Sequence, residues 1–326
     1  MSLLGLVNNV RKIVEGTKSN GLIGDQLWDF LHKKATTYLK MKSAWRPGFH
    51  PSQMYSFCPR QKVLQFFFPK PEKELISPEL NMIFDWGTAW HSVLQDSYFG
   101  PMGILYGKWT CMKCGYTHEG TQLNSPCPEC GMGCRKQCKW EGGFGAADRD
   151  CRLCRIWGKW RYRELSVSHE ELKMYGKMDG ILEMDGARHL SEFKTMNSKK
   201  WATLTEPEPA HVFQVQLYLE LEDYDILDAV ISYWTKDSWQ APPKEFIVER
   251  DRSAFEETKR RITLYNRVWP KKRLCPGICG ARGAPQGKYC LWKKECFKKD
   301  IEDIVDKERE LCGISEKSDG SGAVEE

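Results

Sequence analysis

The stretch YGKMDGILEMDGARHLSEFKTMN, Tyr175 to Asn197, reads as a β-hairpin. Apolar and polar residues alternate on both sides of Asp185-Gly186, a dipeptide suited to a two-residue turn whose central positions need positive φ. With that turn, Asp179 falls opposite Glu192 across the ladder. Lys194 shares their face, because strand side chains repeat every second residue. A four-residue loop sets Asp179 opposite Lys194 instead and still leaves all three on one face. Two carboxylates and an ammonium are costly to bury together without a cation or a substrate among them. The hairpin therefore points to a metal site. Mg²⁺ and Mn²⁺ take carboxylate oxygens, waters and phosphate oxygens. Asp179 and Glu192 are candidate ligands, with the carbonyl of Phe193 as a further one. Lys194 is placed to orient or deprotonate a water and to offset charge developing on phosphorus.

Outward from the hairpin, WRYRELSV, DAVISYWTK and KEFIVER read as strands. EPEPAHVFQVQLYLELE and SAFEETKRRITLYNRVW read as helices by their apolar spacing. Gln214 and Tyr218 lie one turn apart and share a helix face. Upstream, Ser52 reads as the N-cap of a helix running to about Pro69. A second helix over FDWGTAWHSVLQDSYF carries His91, a borderline metal ligand or phosphate contact. Strands mixed with helices in this way predict an α/β class with a central mixed sheet flanked by helices. Residues 1–45 read as an N-terminal helical segment, and 46–106 with 160–300 as the core. Residues 107–159 read as an inserted cysteine-rich module, and 301–326 as a helix end followed by a disordered polar tail.

The chain has 326 residues, 41% of them hydrophobic, enough for a sizeable core. No stretch reaches the length of an apolar membrane span, and the start lacks a basic leader with an apolar core. The expectation is a cytoplasmic, unsecreted protein with no membrane partner. Fourteen cysteines then suggest metal before disulfide. Cys111-x2-Cys114 and Cys127-x2-Cys130 both end in Cys-Gly, the pattern of a zinc ribbon. Cys134-x3-Cys138 and Cys151-x2-Cys154 nearly repeat it. Two Zn²⁺ with sequential pairing are expected, cross-braced pairing being the alternative. Such ions substitute for the apolar core that this segment lacks. Cys275, Cys279, Cys290 and Cys296 form a later group, while Cys58 and Cys312 stand alone.

The order of motifs resembles the PD-(D/E)XK nuclease superfamily, specifically its RecB-like branch with an iron–sulfur cluster. AddB-type helicase–nucleases, CRISPR-adaptation nucleases and phage-encoded exonucleases belong to that branch. The motifs are Cys58-Pro59-Arg60, Gly87-Thr88-x-x-His91, Glu164, Gly176-x-x-Asp179, Glu192-x-Lys194, Gln214-x3-Tyr218 and Cys290-x5-Cys296. The resemblance implies a restriction-endonuclease-like core. It also implies a divalent ion (Mg²⁺ or Mn²⁺) on His91, Asp179 and Glu192, a catalytic Lys194, and Gln214 and Tyr218 positioning DNA or the site. Glu164 matches by position only. It implies a [4Fe–4S] cluster on Cys58, Cys290, Cys296 and a third distal cysteine, with zinc as the alternative metal there. The usual place of that third ligand is Gly287, which leaves Cys279 or Cys275. The implied activity is a deoxyribonuclease, an exonuclease on single strands or free ends. It would work in recombination, repair or replication beside a helicase, recombinase or replisome, in a bacterial or phage-infected cell. The alternative is a catalytically silent DNA-binding or adaptor protein that recruits its partner through the zinc module.

Charge distribution is independent of that resemblance. Residues 259–299 hold thirteen Lys or Arg against Glu295 alone, and residues 131–163 hold nine against three acids. The overall charge is only +5, so the remainder is net acidic. Trp140, Trp157, Trp160, Trp269 and Trp292 are interleaved with these basic stretches. Segregated basic charge with aromatics suits a polyanion with stackable bases.

Overall fold

The computed structural model describes residues 48–69, 78–123, 127–131, 160–237, 242–279, 290–312 and 314. The helical reading of 1–45, Cys134, Cys138, Cys151, Cys154 and the polar tail beyond 314 lie outside them. The chain forms two compact units; residues 78–94 are the described part of the smaller, and the other described residues belong to the larger.

In chain order the elements are α1 (Pro51–Met54), α2 (Pro59–Phe67), α3 (Pro78–Ser92), a π-helical segment (Val93–Phe99), β1 (Leu105–Cys111), β2 (Thr117–Thr121), β3 (Trp160–Arg163), β4 (Leu165–His169), β5 (Met174–Met178), β6 (Gly180–Met184), β7 (Ala187–Met196), α4 (Ser198–Ala202), α5 (Pro209–Leu221), β8 (Asp228–Thr235), β9 (Lys244–Glu249), α6 (Ser253–Val268), α7 (Lys293–Cys296) and α8 (Ile301–Leu311). Among them, no helix is long and apolar enough to cross a membrane.

The hairpin forms with the two-residue turn. Asp185 and Gly186 take φ of 51° and 79°, and the ladder runs from Met184 opposite Ala187 to Gly180 opposite Ser191. Around it stands a sheet in the order β2-β1-β6-β7-β8-β9, with β3 also paired to β1. All neighbours are antiparallel except β7 and β8. A parallel pair needs a crossover, and here it contains α4 and α5. β4 and β5 form a separate two-stranded sheet. The architecture is a mixed α/β core with a central sheet flanked by helices, as expected.

Two local readings need correction. The segment WRYRELSV is two strands in two sheets, broken at Glu164. The single helix from Ser52 toward Pro69 is α1 and α2, with His50 rather than Ser52 at the first N-cap. The break falls where the residue preceding a proline is pushed out of the helical region; Cys58 has φ −126° and ψ 113°.

Helix α5 runs through the centre of the larger unit. Its residues from Gln214 to Leu219 are all buried, and it packs against α1, α6, β4, β7, β8 and β9. A helix covered on all sides must satisfy its polar side chains internally. Gln216 does so structurally: its Nε2 donates to Glu249 O at 2.6 Å and its Oε1 accepts from Asp251 N at 2.7 Å. A second apolar cluster, including Val63, Leu64, Cys275, Trp292, Ile301 and Val305, joins α2 to the C-terminal helices.

Candidate functional site

The acids of the site sit where the chain changes sheets. Glu164 links β3 to β4, and Asp179 links β5 to β6. Each is held at a bend rather than inside a ladder, and a carboxylate oxygen of one lies within 4.8 Å of a carboxylate oxygen of the other. Asp179 is fixed from both sides: its Oδ2 accepts from Phe193 N at 2.9 Å, and its carbonyl accepts from Gln95 Nε2 at 2.7 Å. Gly180, the next residue, packs closely: a Cβ there would meet Leu105 Cδ1 at 2.7 Å and push that side chain aside. A signal for the first break exists in the sequence. The buried position is even at Tyr162 but odd at Leu165 and Val167, so the alternation slips by one residue at Glu164.

Glu192 and Lys194 project from β7 toward α5. Lys194 Nζ donates to Glu192 Oε1 at 2.5 Å and to Gln214 Oε1 at 3.3 Å. Gln214 Nε2 donates to the same Glu192 oxygen at 2.9 Å and reaches Tyr218 Oη at 3.4 Å. These four predicted residues form one hydrogen-bonded group. Phe193 turns to the opposite face, where its ring stacks on Phe99 with centroids 5.3 Å apart. Burial opposes charge on Lys194, but Glu192 and then Asp179 outweigh it and hold the ammonium above the ordinary lysine range. Burial, together with the charges of Glu192, Asp179 and Glu164, pushes the Tyr218 phenol far up, so the hydroxyl that accepts from Gln214 stays neutral. His91 lies in the last turn of α3, in the smaller unit.

Sequence reading did not single out His211 and Tyr233. Tyr233 is the strand neighbour of Lys194 in the parallel β7–β8 pair. Its hydroxyl accepts from Glu208 N at 2.9 Å and lies 2.9 Å from His211 Nδ1. Burial first, then the charge of Lys194, lowers His211 to about 4, so the ring is neutral near pH 7.

Two cysteine sites are distinct. Cys111, Cys114, Cys127 and Cys130 bring their sulfurs within 4.8 Å of one another, with Cys111–Cys130 at 3.8 Å and Cys114–Cys127 at 3.7 Å. A tetrahedron with metal–sulfur bonds of about 2.3 Å has edges of about 3.8 Å, so the set fits one thiolate-bound ion. Both knuckle glycines behave as their motif requires: Gly115 and Gly131 take φ of 76° and 62° and donate N–H to Cys111 O and Cys127 O. Burial resists ionisation of Cys111, but the backbone amides of Cys114 and Lys113 bring its thiol down to about 7.

The second set is more open. Cys58, Cys279, Cys290 and Cys296 line one cavity of about 340 Å³, together with Arg60 and Lys293. Among the described residues, only the first cysteine set has all its sulfurs within 4.8 Å. Cys275 does not line the cavity. It belongs to the apolar cluster beside α2, and burial pushes its thiol up to about 11.

No family model and no curated protein matches this chain. Among solved structures, the crystal structure of SSO0001 matches 84% of this chain and 95% of its own, at 14% identity and a TM-score of 0.35. An alkaline exonuclease from Laribacter hongkongensis matches 32% of this chain and 55% of its own, at 16% identity and a TM-score of 0.26. Likenesses this loose carry no argument about function. What stands on the residues themselves is a chain with an acidic cluster and a four-cysteine cluster, each able to hold a metal.

Proposed function

We propose that the chain is a metal-dependent deoxyribonuclease of the PD-(D/E)XK type, acting on single strands or free DNA ends. The observation that carries this reading is the meeting of Glu164 and Asp179 within 4.8 Å, beside a Glu192–Lys194 pair closed by Gln214. Structural ion pairs rarely need a further acidic pair beside them, whereas hard divalent ions call for such oxygens.

In this reading Glu164 and Asp179 would hold Mg²⁺ or Mn²⁺, with Glu192 and the Phe193 carbonyl as further oxygen ligands. When bound, the ion supplies an activated water and stabilises charge on the phosphodiester. Lys194, which donates to Glu192 and Gln214, would orient the water and neutralise charge developing on phosphorus. Gln214 holds Lys194 and Glu192 in register, and the Tyr218 phenol supports Gln214 from one turn further along α5.

Zinc is the proposed ion of Cys111, Cys114, Cys127 and Cys130, on the tetrahedral spacing. The wider cavity of Cys58, Cys279, Cys290 and Cys296 suits a [4Fe–4S] cluster better than a single ion, with Cys279 in preference to Cys275 as the third distal ligand. Thiolates are the usual holders of such clusters. The basic stretches would meet DNA, and a helicase, recombinase or replisome component is the partner proposed. The test is digestion of 5′- and 3′-labelled single and double strands with Mg²⁺, Mn²⁺ or chelator, using wild type and Lys194→Ala. Metal-dependent cleavage lost in the variant is the expected result. DNA binding without cleavage in any metal would favour a silent adaptor instead.

A further inference from the structure

Arg60 stands one residue after the Cys58-Pro59 break, at the start of α2. Its side chain is only 10% exposed. The guanidinium donates to Cys275 O at 3.0 Å and to Cys296 O at 3.4 Å, joining residues 215 and 236 positions away. The carboxylate beside it, Glu302, lies at 3.4 Å and is 72% exposed, so water screens most of its effect. Carbonyl dipoles satisfy the hydrogen bonds of a buried cation but do not cancel its charge.

The cavity at the guanidinium's side sharpens the point. Among the described residues, four cysteines, Arg60 and Lys293 line it, and no carboxylate does. Gly277 also lines this cavity, and a Cβ there would lie 3.5 Å from Arg60 Cδ. Two cations around four thiols describe a container for an anion. Four thiolates outweigh the charge of a zinc ion or of an oxidised iron–sulfur core, so either metal–thiolate centre is net negative.

We propose that Arg60 is the counter-charge and clasp of an anionic metal–thiolate centre in this cavity. This rests on the reading that a metal occupies it. As a positioning residue, Arg60 draws the chain on both sides of the distal cysteines together by the carbonyls of Cys275 and Cys296. Cys279, Cys290 and Cys296 are thus arranged opposite Cys58 before metal arrives. Its charge then favours the filled state. If the centre is an iron–sulfur cluster, it also favours the one-electron reduced form, which carries more negative charge. That electron comes from an added reductant such as dithionite, and no bond or proton moves.

The experiment compares anaerobically purified wild type, Arg60→Met, Arg60→Lys and Cys279→Ser. Iron and zinc per chain and their release into chelator are followed, with visible absorption during dithionite titration when iron is present. Thermal melts check that each variant is folded. Arg60→Met should release the cavity metal roughly tenfold faster or more, the scale seen when a group supporting a metal ligand is removed. Arg60→Lys, which keeps the charge but cannot fork between two carbonyls, should fall between. An iron centre should show a more negative reduction potential in Arg60→Met. Zinc on the Cys111 set serves as the internal control and should stay put. Metal retention in Arg60→Met equal to wild type overturns the proposal, and so does equal loss from both cysteine sets. A wild type with no metal that Cys279→Ser removes overturns it as well. Should Arg60→Met not fold, Arg60→Lys decides: wild-type retention there removes the clasp. A metal-loaded wild type that fails to cut DNA would sink the nuclease reading and leave the Arg60 result standing.

Discussion

Lys194 shows how the site is tuned residue by residue. Its raised pKa means that the stability it contributes is complete below the ordinary value of 10.5 and is lost only as pH rises through the higher folded value. Removing it takes the 2.5 Å ammonium partner from Glu192, whose side chain is 3% exposed, and leaves Gln214 Nε2 on the same oxygen. Lys194→Ala is expected to lower unfolding stability by roughly 2 kcal/mol, read by urea denaturation, besides abolishing the cleavage proposed above. His211 runs the other way. With a folded pKa near 4 against 6.5 for a free ring, its contribution is complete above 6.5 and is lost as pH falls through about 4. Melting temperatures measured from pH 7 to pH 4 should drop less steeply in His211→Gln than in wild type. A parallel fall in both would remove His211 as the source.

At the scale of elements, what could be read from sequence was local chemistry. Asp185-Gly186 specifies its own turn, and Cys-x2-Cys-Gly specifies its own knuckle, because each depends on backbone geometry within a few residues. Gln214 and Tyr218 were legible for the same reason, through helical spacing. The breaks at Glu164 and Cys58 were harder, since each joins two segments that look continuous in composition while their partners lie elsewhere in the chain. His211 and Tyr233 gave no pattern at all; only the parallel pairing of β7 with β8 puts Tyr233 beside Lys194. Close packing between elements supplies a further check. A Cβ on Gly176 of β5 would stand 2.6 Å from Tyr218 Cε1, a rigid ring edge that can move only by taking α5's hydrogen-bonded face with it. Gly176→Ala should cost about 1–3 kcal/mol and, if the proposed cleavage is the chain's activity, reduce it well below wild type with metal content unchanged.

At the scale of the whole molecule, the two cysteine sets divide the work. The Cys111 set closes a loop of fewer than twenty residues at one end of β1, whereas the other set joins α2 to residues beyond α6. Closing a longer loop removes more freedom from the unfolded chain, though the dependence is only logarithmic. If the cavity holds the metal proposed for it, stripping that metal should therefore lower the global melting temperature more than Cys114→Ser does. The latter is expected to release zinc and unsettle only its neighbourhood, which hydrogen exchange resolved by peptide would show.

The reach of Arg60 across 215 residues to Cys275 has a consequence for biosynthesis. On the ribosome, the first thiol of that cavity emerges long before its companions, and until they follow it is a solitary cysteine with nothing to chelate. If a metal centre fills that cavity, its delivery must wait until α6, the loop beyond it and α7 have all been translated. A chain stalled earlier could display a finished hairpin and still be unable to accept its cargo.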